Sequence, residues 1–471
     1  SAALSVYAAS QDKQKALDEL AAIAKDTIER WPDKAEADDA RIALGQASLV
    51  QGKTDEALAV FENVNPRSLR YPSAMLLAGQ THWRLYLTQK SQGAAEQLAL
   101  HRAKAEQQLH TSLDGQRKAA PAGEAMSRQI LENQLLLSEV VAEGGQVQQA
   151  AELVEPLLGW IAANKPAPLD NTLLRVFLTA ARTQAALGQT AKAAATAGVL
   201  CELGPDDPST NGVLVSIVKL VGDQWKQAKA EGTEAETAGN AAARAAAEAA
   251  AAERKKHLAD LLAKLAPRKK QSLAAQIYIA DTSVELDQTD AARGLYLAIL
   301  AQGDSDPAFK KANAAALTRI RTQLVGLIRA KAKTKEEFEE GRKQVDELIA
   351  AYPNALEPKM EKGRLLQAWA EIDPARAADA VAQWTLLRTR LARAPRKPPE
   401  YYEVVYNAAH CLFMDGLKTN NREKALQAEQ LLNATLVLSP RLSGPEMVAQ
   451  YKDLLQKARK LQGRPPASAQ K

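Results

Sequence analysis

Residues Leu174 to Pro208 have the sequence LRVFLTAARTQAALGQTAKAAATAGVLCELGPDDP, and this stretch decides the fold. Its first half spaces apolar side chains three and four residues apart, which predicts one amphipathic helix. Gly188 marks the end of that helix, because glycine adopts the backbone conformation that closes helices. The alanine-rich second half predicts another helix, which stops before Pro205 because proline cannot continue a helix. Two helices joined by so short a turn should fold back on each other as an antiparallel pair.

Small residues should let the two helices approach each other closely. Ala181 on the first helix and Ala193 on the second remove side-chain bulk from the predicted contact. Thr190 follows the turn and is a candidate N-cap, because its hydroxyl can accept a hydrogen bond from an unpaired backbone amide. Similar units recur over about residues 35–440. We therefore expect a stack of helix pairs in which each pair contacts its neighbours.

The spacing of these units resembles the tetratricopeptide repeat (TPR), a helix pair with a period of about 34 residues. Ala181, Ala193 and Pro205 match the family's small residues and its proline, whereas Ala197 stands where the family has a large side chain. The matching residues in three further stretches are Leu44, Gly45, Gly52, Ala57 and Phe61 in Asp38–Pro66; Leu137, Ser138, Gly145, Ala150 and Val154 in Leu131–Leu157; and Ile279, Ala280, Ala292 and Tyr296 in Leu273–Ile299. The resemblance covers most of the chain with degenerate repeats. It implies an all-α fold, a right-handed α-solenoid of antiparallel helix pairs that binds other proteins.

The same reasoning predicts how the chain is organised. The expected parts are an N-terminal capping helix in 1–34, TPR-like repeats in 35–208, an extended alanine-rich helical hairpin in 209–270, further TPR-like repeats in 271–440, a C-terminal capping helix in 441–462 and a disordered tail in 463–471. The last helix is expected as a cap because the end of a stack needs a polar outer face. Ser443 is the candidate N-cap of that helix.

The segment Ser209–Pro267 is too long for one repeat. It begins with apolar residues at helical spacing, becomes almost pure alanine and charge at 240–256, and ends with leucines. Alanine has the highest helix propensity, so such a segment can remain helical with little packing. We expect two helices that extend from the stack as an exposed hairpin, bending near Gly232 or Gly239. The alternative is a flexible alanine-rich linker between two arms.

The small net charge of +5 hides a difference between the two halves of the chain. Residues 1–250 contain 24 Lys and Arg against 30 Asp and Glu, or −6, so the remaining residues carry 37 against 26, or +11. An acidic half and a basic half suit self-association or an oriented partner with an acidic surface. The alternative is that charged faces simply keep a helical stack soluble.

The composition limits the possible cellular compartments but does not identify one. No run approaches the roughly 18 apolar residues that a membrane span needs, so we expect a soluble protein. Cys201 and Cys411 are far apart in sequence and are interpreted as buried free thiols, which slightly favours a reducing compartment. High alanine and arginine usage suggests a bacterial source, with cytoplasm and periplasm both open. The first residue is Ser1, so the sequence is either a processed form or a fragment.

One stretch imitates a nucleotide-binding motif. Ala47–Thr54 has the sequence ASLVQGKT, which fits the loose form of a phosphate-binding loop. A functional loop of that kind follows a buried strand and precedes a helix. Here Ala47–Val50 belongs to a predicted helix, Gly52 is a turn glycine and Thr54 is expected to cap the next helix. We therefore expect a repeat turn and no nucleotide cofactor.

Other chemistry finds little support in the sequence. The histidines, none of them at paired metal-ligand spacing, are His82, His101, His110, His257 and His410. Basic clusters occur at 254–256, 268–270 and 388–397, but they lack the interleaved aromatic residues typical of nucleic-acid binders. We therefore expect no metal, no cofactor, no small-molecule substrate and no catalytic residues, and we consider nucleic-acid binding unlikely.

The inner face of the stack holds the first candidate binding residues. Arg175 and Arg182 lie two helical turns apart, and Glu132 and Glu139 have the same spacing one repeat earlier. TPR proteins that bind peptide C-termini use a clamp rich in lysine and asparagine, which these positions lack. The arginines therefore contact a partner directly, or they pair with the two glutamates.

A second candidate site lies near the C-terminus. Tyr402, Tyr406, His410 and Phe413 follow a three-and-four spacing, beside a basic segment that contains Arg393 and Arg396. Aromatic surfaces rimmed by arginine are typical of protein-binding hot spots. These residues are predicted to contact an acidic partner. The alternative is that the aromatic stripe packs against the preceding repeat and the capping helix.

The sequence as a whole predicts a non-enzymatic scaffold, a helical-repeat subunit that joins other proteins in an assembly. A peptide-capturing adaptor is the nearest alternative. An RNA-binding solenoid and an unrecognised enzyme are the alternatives from other classes.

Overall fold

A computed structural model describes residues 13–120 and 126–463, and every regular element in these ranges is helical. The α-helices are α1 (Lys13–Arg30), α2 (Ala35–Val50), α3 (Thr54–Glu62), α4 (Tyr71–Gln89), α5 (Ala95–Ala119), α6 (Arg128–Glu143), α7 (Val147–Asn164), α8 (Asn171–Ala186), α9 (Thr190–Leu203), α10 (Pro208–Thr237), α11 (Ala241–Leu265), α12 (Leu273–Glu285), α13 (Thr289–Ser305), α14 (Pro307–Ala312), α15 (Ala314–Lys331), α16 (Lys335–Ala351), α17 (Glu357–Ile372), α18 (Ala377–Leu391), α19 (Pro399–Thr419), α20 (Arg422–Leu438) and α21 (Pro445–Leu461). The predicted all-α fold of antiparallel helix pairs is confirmed. Residues 1–12 of the predicted N-terminal cap, and all of the predicted tail except Gly463, lie outside the described residues.

The chain divides into two compact units, Ser1–Ala275 and Gln276–Lys471. In the first unit, α2 pairs with α3, α4 with α5, α6 with α7, α8 with α9, and α10 with α11. In the second unit, α15 pairs with α16, α17 with α18, and α19 with α20, and α21 packs on the last pair. Within each unit, the pairs α2–α3, α4–α5, α6–α7, α8–α9, α15–α16 and α17–α18 also contact the next helix along the chain, which is the packing that repeat proteins use to build a continuous core.

Close helix approach at small residues holds these pairs together. A Cβ atom at Gly45 would lie 2.4 Å from the ring of Phe61, and one at Gly79 would lie 2.8 Å from Leu109. Larger residues at the two glycines would therefore push α2 from α3 and α4 from α5. Phe61 and Leu109 are both fully buried, so each fills the space that the facing glycine leaves. The pairs are TPR-like in this respect.

The turns between paired helices use glycine for its left-handed backbone. Gly52 and Gly188 have φ angles of 77° and 72°, which side chains rarely adopt. Thr190 is the first residue of α9 and not its N-cap, because Gln189 occupies the cap position and makes no side-chain cap bond. Thr54 likewise begins α3. The predicted N-caps at Thr190 and Thr54 are therefore wrong, because after each glycine turn the preceding residue, Gln189 or Lys53, already occupies the cap position.

The alanine-rich segment forms the predicted hairpin of α10 and α11. The chain bends at Gly239, whose φ is 69°, whereas Gly232 lies inside α10 and faces the methyl group of Ala247. Near the base, Trp225 is buried, and α10 contacts α8 and α9. Farther out, residues 241–246 are exposed. The linker alternative is wrong, because the segment is helical on both sides of the turn.

The C-terminal end is covered by α21, which packs on α19 and α20 through Tyr451, Leu454 and Leu455. The Tyr451 hydroxyl donates a hydrogen bond to the backbone carbonyl of Tyr402 at 2.6 Å. Gly444, and not Ser443, occupies the N-cap position of α21, and it makes no side-chain cap bond. Among the described residues, no helix combines the length and the apolar character that a bilayer crossing requires.

Candidate protein-binding groove

An open groove lies on the first unit, on the face formed by α4, α6 and α8. These are the first helices of three consecutive pairs. The groove has a volume of about 500 Å³, and the residues that line it are Gln80, Trp83, Arg84, Leu87, Glu132, Leu135, Leu136, Glu139, Thr172 and Arg175. It includes one residue of the first candidate site, Arg175, together with the two glutamates considered beside it. We call this surface the α4–α6–α8 groove.

The floor of the groove is apolar. Leu135 on α6 is fully buried, and Trp83 on α4 is nearly so, stacked at 5.0 Å on the ring of Tyr86. Leu87 lies one helical turn beyond Trp83 and is 51% exposed. An exposed leucine beside a buried floor leaves apolar surface uncovered. Covering that surface would contribute free energy in proportion to its area.

A hydrogen bond and an ion pair fix the two walls at one end of the groove. The Tyr86 hydroxyl on α4 donates to Glu143 Oε1 on α6 at 2.5 Å, and Lys90 Nζ lies 2.5 Å from the same oxygen. Burial by itself raises the pKa of Glu143, but the hydrogen bonds from Lys90 and Tyr86 outweigh it and leave that pKa below its ordinary value. The glutamate therefore stays ionised at neutral pH and ties α4 to α6.

Arg175 forms a two-point ion pair with Glu139. Its Nε and Nη2 atoms lie 3.1 and 2.5 Å from the two carboxylate oxygens, which joins α8 to α6. Glu132 instead accepts from Arg128 at 2.6 Å, and Arg128 also reaches Asp170 at 2.8 Å. The alternative of ion pairing with the preceding repeat thus holds for Arg175 only. A fork-shaped guanidinium matches a carboxylate in this geometry.

The second arginine of that candidate site stands apart from the groove lining. Arg182 is exposed and makes no ion pair or hydrogen bond with any residue in the described ranges. Arg84 on α4 is also exposed, and its guanidinium has no carboxylate partner within residues 13–120 and 126–463. Arg84 is therefore the groove cation whose charge remains available to a ligand.

The α4 wall of the groove was not among the residues predicted from the sequence. Gln80, Trp83, Arg84 and Leu87 follow a three-and-four spacing, so one face of a helix could have been read from them. The spacing alone does not predict which face of that helix packs against a neighbouring repeat. The α4 and α6 walls are about fifty residues apart in sequence and meet only through the stacking of two pairs.

The second candidate site divides between core and surface. Tyr402 and Phe413 are buried on α19, and Phe413 lies in the cluster that α21 completes. Tyr406 is half-buried, 5.9 Å from the ring of Tyr451 and 6.1 Å from that of His410. Half-buried His410 lies 3.3 Å from the Gln367 side chain. This arrangement corresponds to the packing alternative, because these rings contact α21 and the preceding repeat.

The same candidate site also includes two arginines. Arg393 and Arg396 are both exposed in the segment after α18, and neither side chain has an ion-pair partner among the residues that the structure describes. Their charges remain available, whereas two of the four aromatic rings predicted to act with them do not reach the surface. The structure therefore exposes the basic part of the candidate site and buries Tyr402 and Phe413 of its aromatic part.

The features considered for chemistry have structural roles. Ala47–Val50 is the end of α2, and the turn at Gly52 leads directly into α3, so no strand precedes the imitation phosphate loop. Cys201 is half-buried and Cys411 buried, both are free thiols, and burial raises the pKa of each. Across residues 13–120 and 126–463, no three His, Cys, Asp or Glu residues are grouped so as to hold a metal ion.

No protein-family model and no curated protein matches the chain. Among solved structures it is similar to the human IFIT1 dimer with m7Gppp-AAAA, at 15% identity over 81% of this chain and 78% of that one, with a TM-score of 0.29. It is also similar to the P58(IPK) TPR domain, at 13% identity over 81% and 98%, with a TM-score of 0.23. Likenesses at this level carry no argument, so the helical-repeat fold rests on the helix pairs described above.

Proposed function

We propose that the chain is a non-enzymatic scaffold that binds a segment of a partner protein in the α4–α6–α8 groove. The observation that carries the proposal is the combination of an uncovered apolar strip and an unpaired cation in one concave surface. Leu87 is 51% exposed above a buried floor, and Arg84 beside it has no counter-ion among the described residues. Protein interfaces place apolar anchors at their centre and charged groups at the rim.

The shape of the groove favours a protein segment as its occupant. Its volume of about 500 Å³ suits a few side chains, and its walls come from three successive repeats, so an occupant would lie across the helices. Single-stranded RNA needs a cationic track with exposed aromatic rings. In this groove the one aromatic ring is nearly buried, and Arg175 is already neutralised by Glu139.

The test compares two leucine substitutions in the first unit. Leu87→Glu places a charge in the groove, whereas Leu69→Glu makes the same change at a 94% exposed leucine that does not line it. Each variant and the wild-type chain would be used to purify partners from native extract, with quantification by mass spectrometry. We expect Leu87→Glu to lower recovery of a specific partner about tenfold, which corresponds to about 1.4 kcal/mol. Leu69→Glu should retain the partner.

The same experiment can contradict the proposal. If both variants retain every partner that the wild-type chain binds, the groove is not the binding site. Circular dichroism and thermal melting of both variants would be measured in parallel. Because Leu87 is half exposed, we expect its substitution to change stability by less than about 0.5–1 kcal/mol.

A further inference from the structure

A second depression lies on a different surface, within the second unit. It is formed by α16, α17 and α18 and has a volume of about 320 Å³. The residues that line it are Arg342, Lys362, Leu366, Asp379, Ala382, Gln383 and Leu386. None of the residues of the α4–α6–α8 groove takes part. We call this surface the α16–α18 patch.

The patch has an apolar centre. Leu386 on α18 is 66% exposed, and Leu366 forms the buried part of the lining. The other face of α18 holds Trp384 and Leu387, which are fully buried in the unit. The helix therefore packs its core with one face and leaves a leucine uncovered on the other. A single exposed leucine is ordinary on protein surfaces, but this one shares its depression with charged side chains.

Those charges are arginines without acidic partners. Arg390 lies one helical turn beyond Leu386, and its guanidinium reaches only the backbone carbonyl of Asn354, at 3.4 Å. Arg342, Arg393 and Arg396 are exposed and form no ion pair within the described part of the chain. Asp379 in the lining lies 3.4 Å from Arg376, and Asp346, one turn beyond Arg342 on α16, lies 2.7 Å from Lys362, so both carboxylates are already engaged.

Elsewhere in the second unit, arginines are mostly paired. Arg319 binds Asp281 at 2.6 Å, Arg329 binds Glu361 at 2.7 Å, and Arg364 binds Glu403 at 2.8 Å. The unpaired arginines are thus concentrated at the patch and in the segment that follows α18. Adjacent like charges repel one another, and an acidic ligand relieves that repulsion.

We propose that the α16–α18 patch docks an acidic, apolar protein segment. One apolar side chain of this partner covers Leu386, and its carboxylates pair with Arg342, Arg390 and the arginines after α18. Protein is favoured over RNA because the lining contains a leucine floor and no aromatic ring on which a base could stack. The site goes beyond the proposed function, since it lies in another unit from the groove.

The probe is a fluorescein-labelled helical peptide of about four turns, with leucines at three-and-four spacing flanked by glutamates. Binding to the full chain would be followed by fluorescence anisotropy at low and moderate salt. The charge variant is Arg342→Glu with Arg390→Glu, and its matched control is Lys452→Glu with Lys460→Glu at exposed positions of α21. The apolar variant is Leu386→Ser, with Val437→Ser, 79% exposed in the wild type, as its control.

We expect the charge variant to weaken binding at least about tenfold and Leu386→Ser about threefold or more, with less than about twofold for either control. A peptide with serine in place of leucine should bind more weakly than the original. Equal losses in the charge variant and its control would overturn the proposal, because they would show general attraction between opposite charges. Failure of the peptide to bind would also overturn it.

RNA supplies a further outcome. A single-stranded RNA of matched charge that binds more tightly than the peptide, and is lost in the same charge variant, would show a nucleic-acid surface and overturn the proposal. Leu87→Glu in the α4–α6–α8 groove should leave peptide binding at the patch unchanged. Failure at one surface is thereby distinguished from failure at the other.

Discussion

The two units treat the face formed by the first helices of their pairs in different ways. In the second unit, Arg364 on α17 reaches Glu361 at 3.1 Å and Glu403 on α19 at 2.8 Å, and Glu361 in turn accepts from Arg329 on α15. These pairs form a continuous ladder across three helices. In the first unit, Arg175 pairs with Glu139 and Arg128 pairs with Asp170 between α6 and the start of α8. Between α4 and α6, the bonds of Tyr86 and Lys90 to Glu143 lie at one end and leave the groove open.

The difference teaches that the repeat fold alone does not provide a binding surface. Both faces are built on the same antiparallel pairs. In the second unit, oppositely charged side chains bridge the first helices of the pairs. In the groove of the first unit, Arg84 has no counter-ion among the described residues and Leu87 remains exposed. A ladder of ion pairs fixes neighbouring repeats, while an open groove leaves apolar surface for a ligand.

The largest effect is expected in the packing that both faces share. A Cβ atom at Gly363 would lie 2.7–2.9 Å from the ring of Trp384, which is fully buried and cannot move aside easily. Gly363→Ala should therefore lower the free energy of unfolding of the second unit by about 1–3 kcal/mol, measured by denaturant titration. Gly326→Ala is the control, since nothing lies within 4 Å of that position in α15.

The control substitution is expected to change the free energy of unfolding in the opposite direction or not at all. Alanine has a higher helix propensity than glycine, so Gly326→Ala should be neutral or stabilise by up to about 1 kcal/mol. Equal destabilisation by both substitutions would mean that close approach of α17 and α18 at Gly363 is not what limits the size of its side chain.

The next largest effect compares the ion-pair ladder of the second unit with the Arg175–Glu139 pair of the first. Arg364→Met removes the contacts to Glu357, Glu361 and Glu403 together and leaves three carboxylates without their shared cation. We expect a loss of about 1–3 kcal/mol. Arg175→Met removes one half-exposed pair and should cost about 0–1 kcal/mol. If chemical denaturation gave equal losses of unfolding free energy for Arg364→Met and Arg175→Met, the two faces would not differ in how strongly ion pairs hold their helices.

The smallest effect is a pH dependence that belongs to the helix bearing the groove. His82 on α4 is buried, its Nδ1 lies 3.0 Å from His101 Nδ1, and burial holds its pKa below 6.5. Since the unfolded chain binds the proton more readily, the contribution of His82 to stability is complete above pH 6.5. It is lost as the pH falls through the folded-state pKa.

Unfolding free energies at pH 7.5 and pH 5 would measure this dependence. His82→Gln should reduce the difference in unfolding free energy between the two pH values. An unchanged difference in His82→Gln would assign the acid sensitivity to other groups. One such group is His410 in the second unit, whose pKa burial also lowers.

The sequence by itself determined the helix pairs. Helical spacing of apolar residues, a turn glycine such as Gly188, and small residues such as Ala181 and Ala193 are local features, and local features set where helices begin and end. The hairpin followed in the same way from its alanine content. The N-cap positions were harder to predict from the sequence. After the left-handed glycine turn, α9 begins at Thr190 itself, which had been predicted as the cap.

Only the tertiary structure decided which surfaces are open. Glu132 pairs with Arg128 on its own helix, and Glu139 rather than Glu132 meets Arg175, because the register between α6 and α8 sets which side chains are opposite. The packing of α4 against α6 likewise placed Leu87 in a groove with residues of α6 and α8. Periodicity specifies the face of one helix. Which helix faces meet depends on how consecutive pairs stack on each other. That stacking joins residues far apart in sequence, so the spacing within one helix does not predict it.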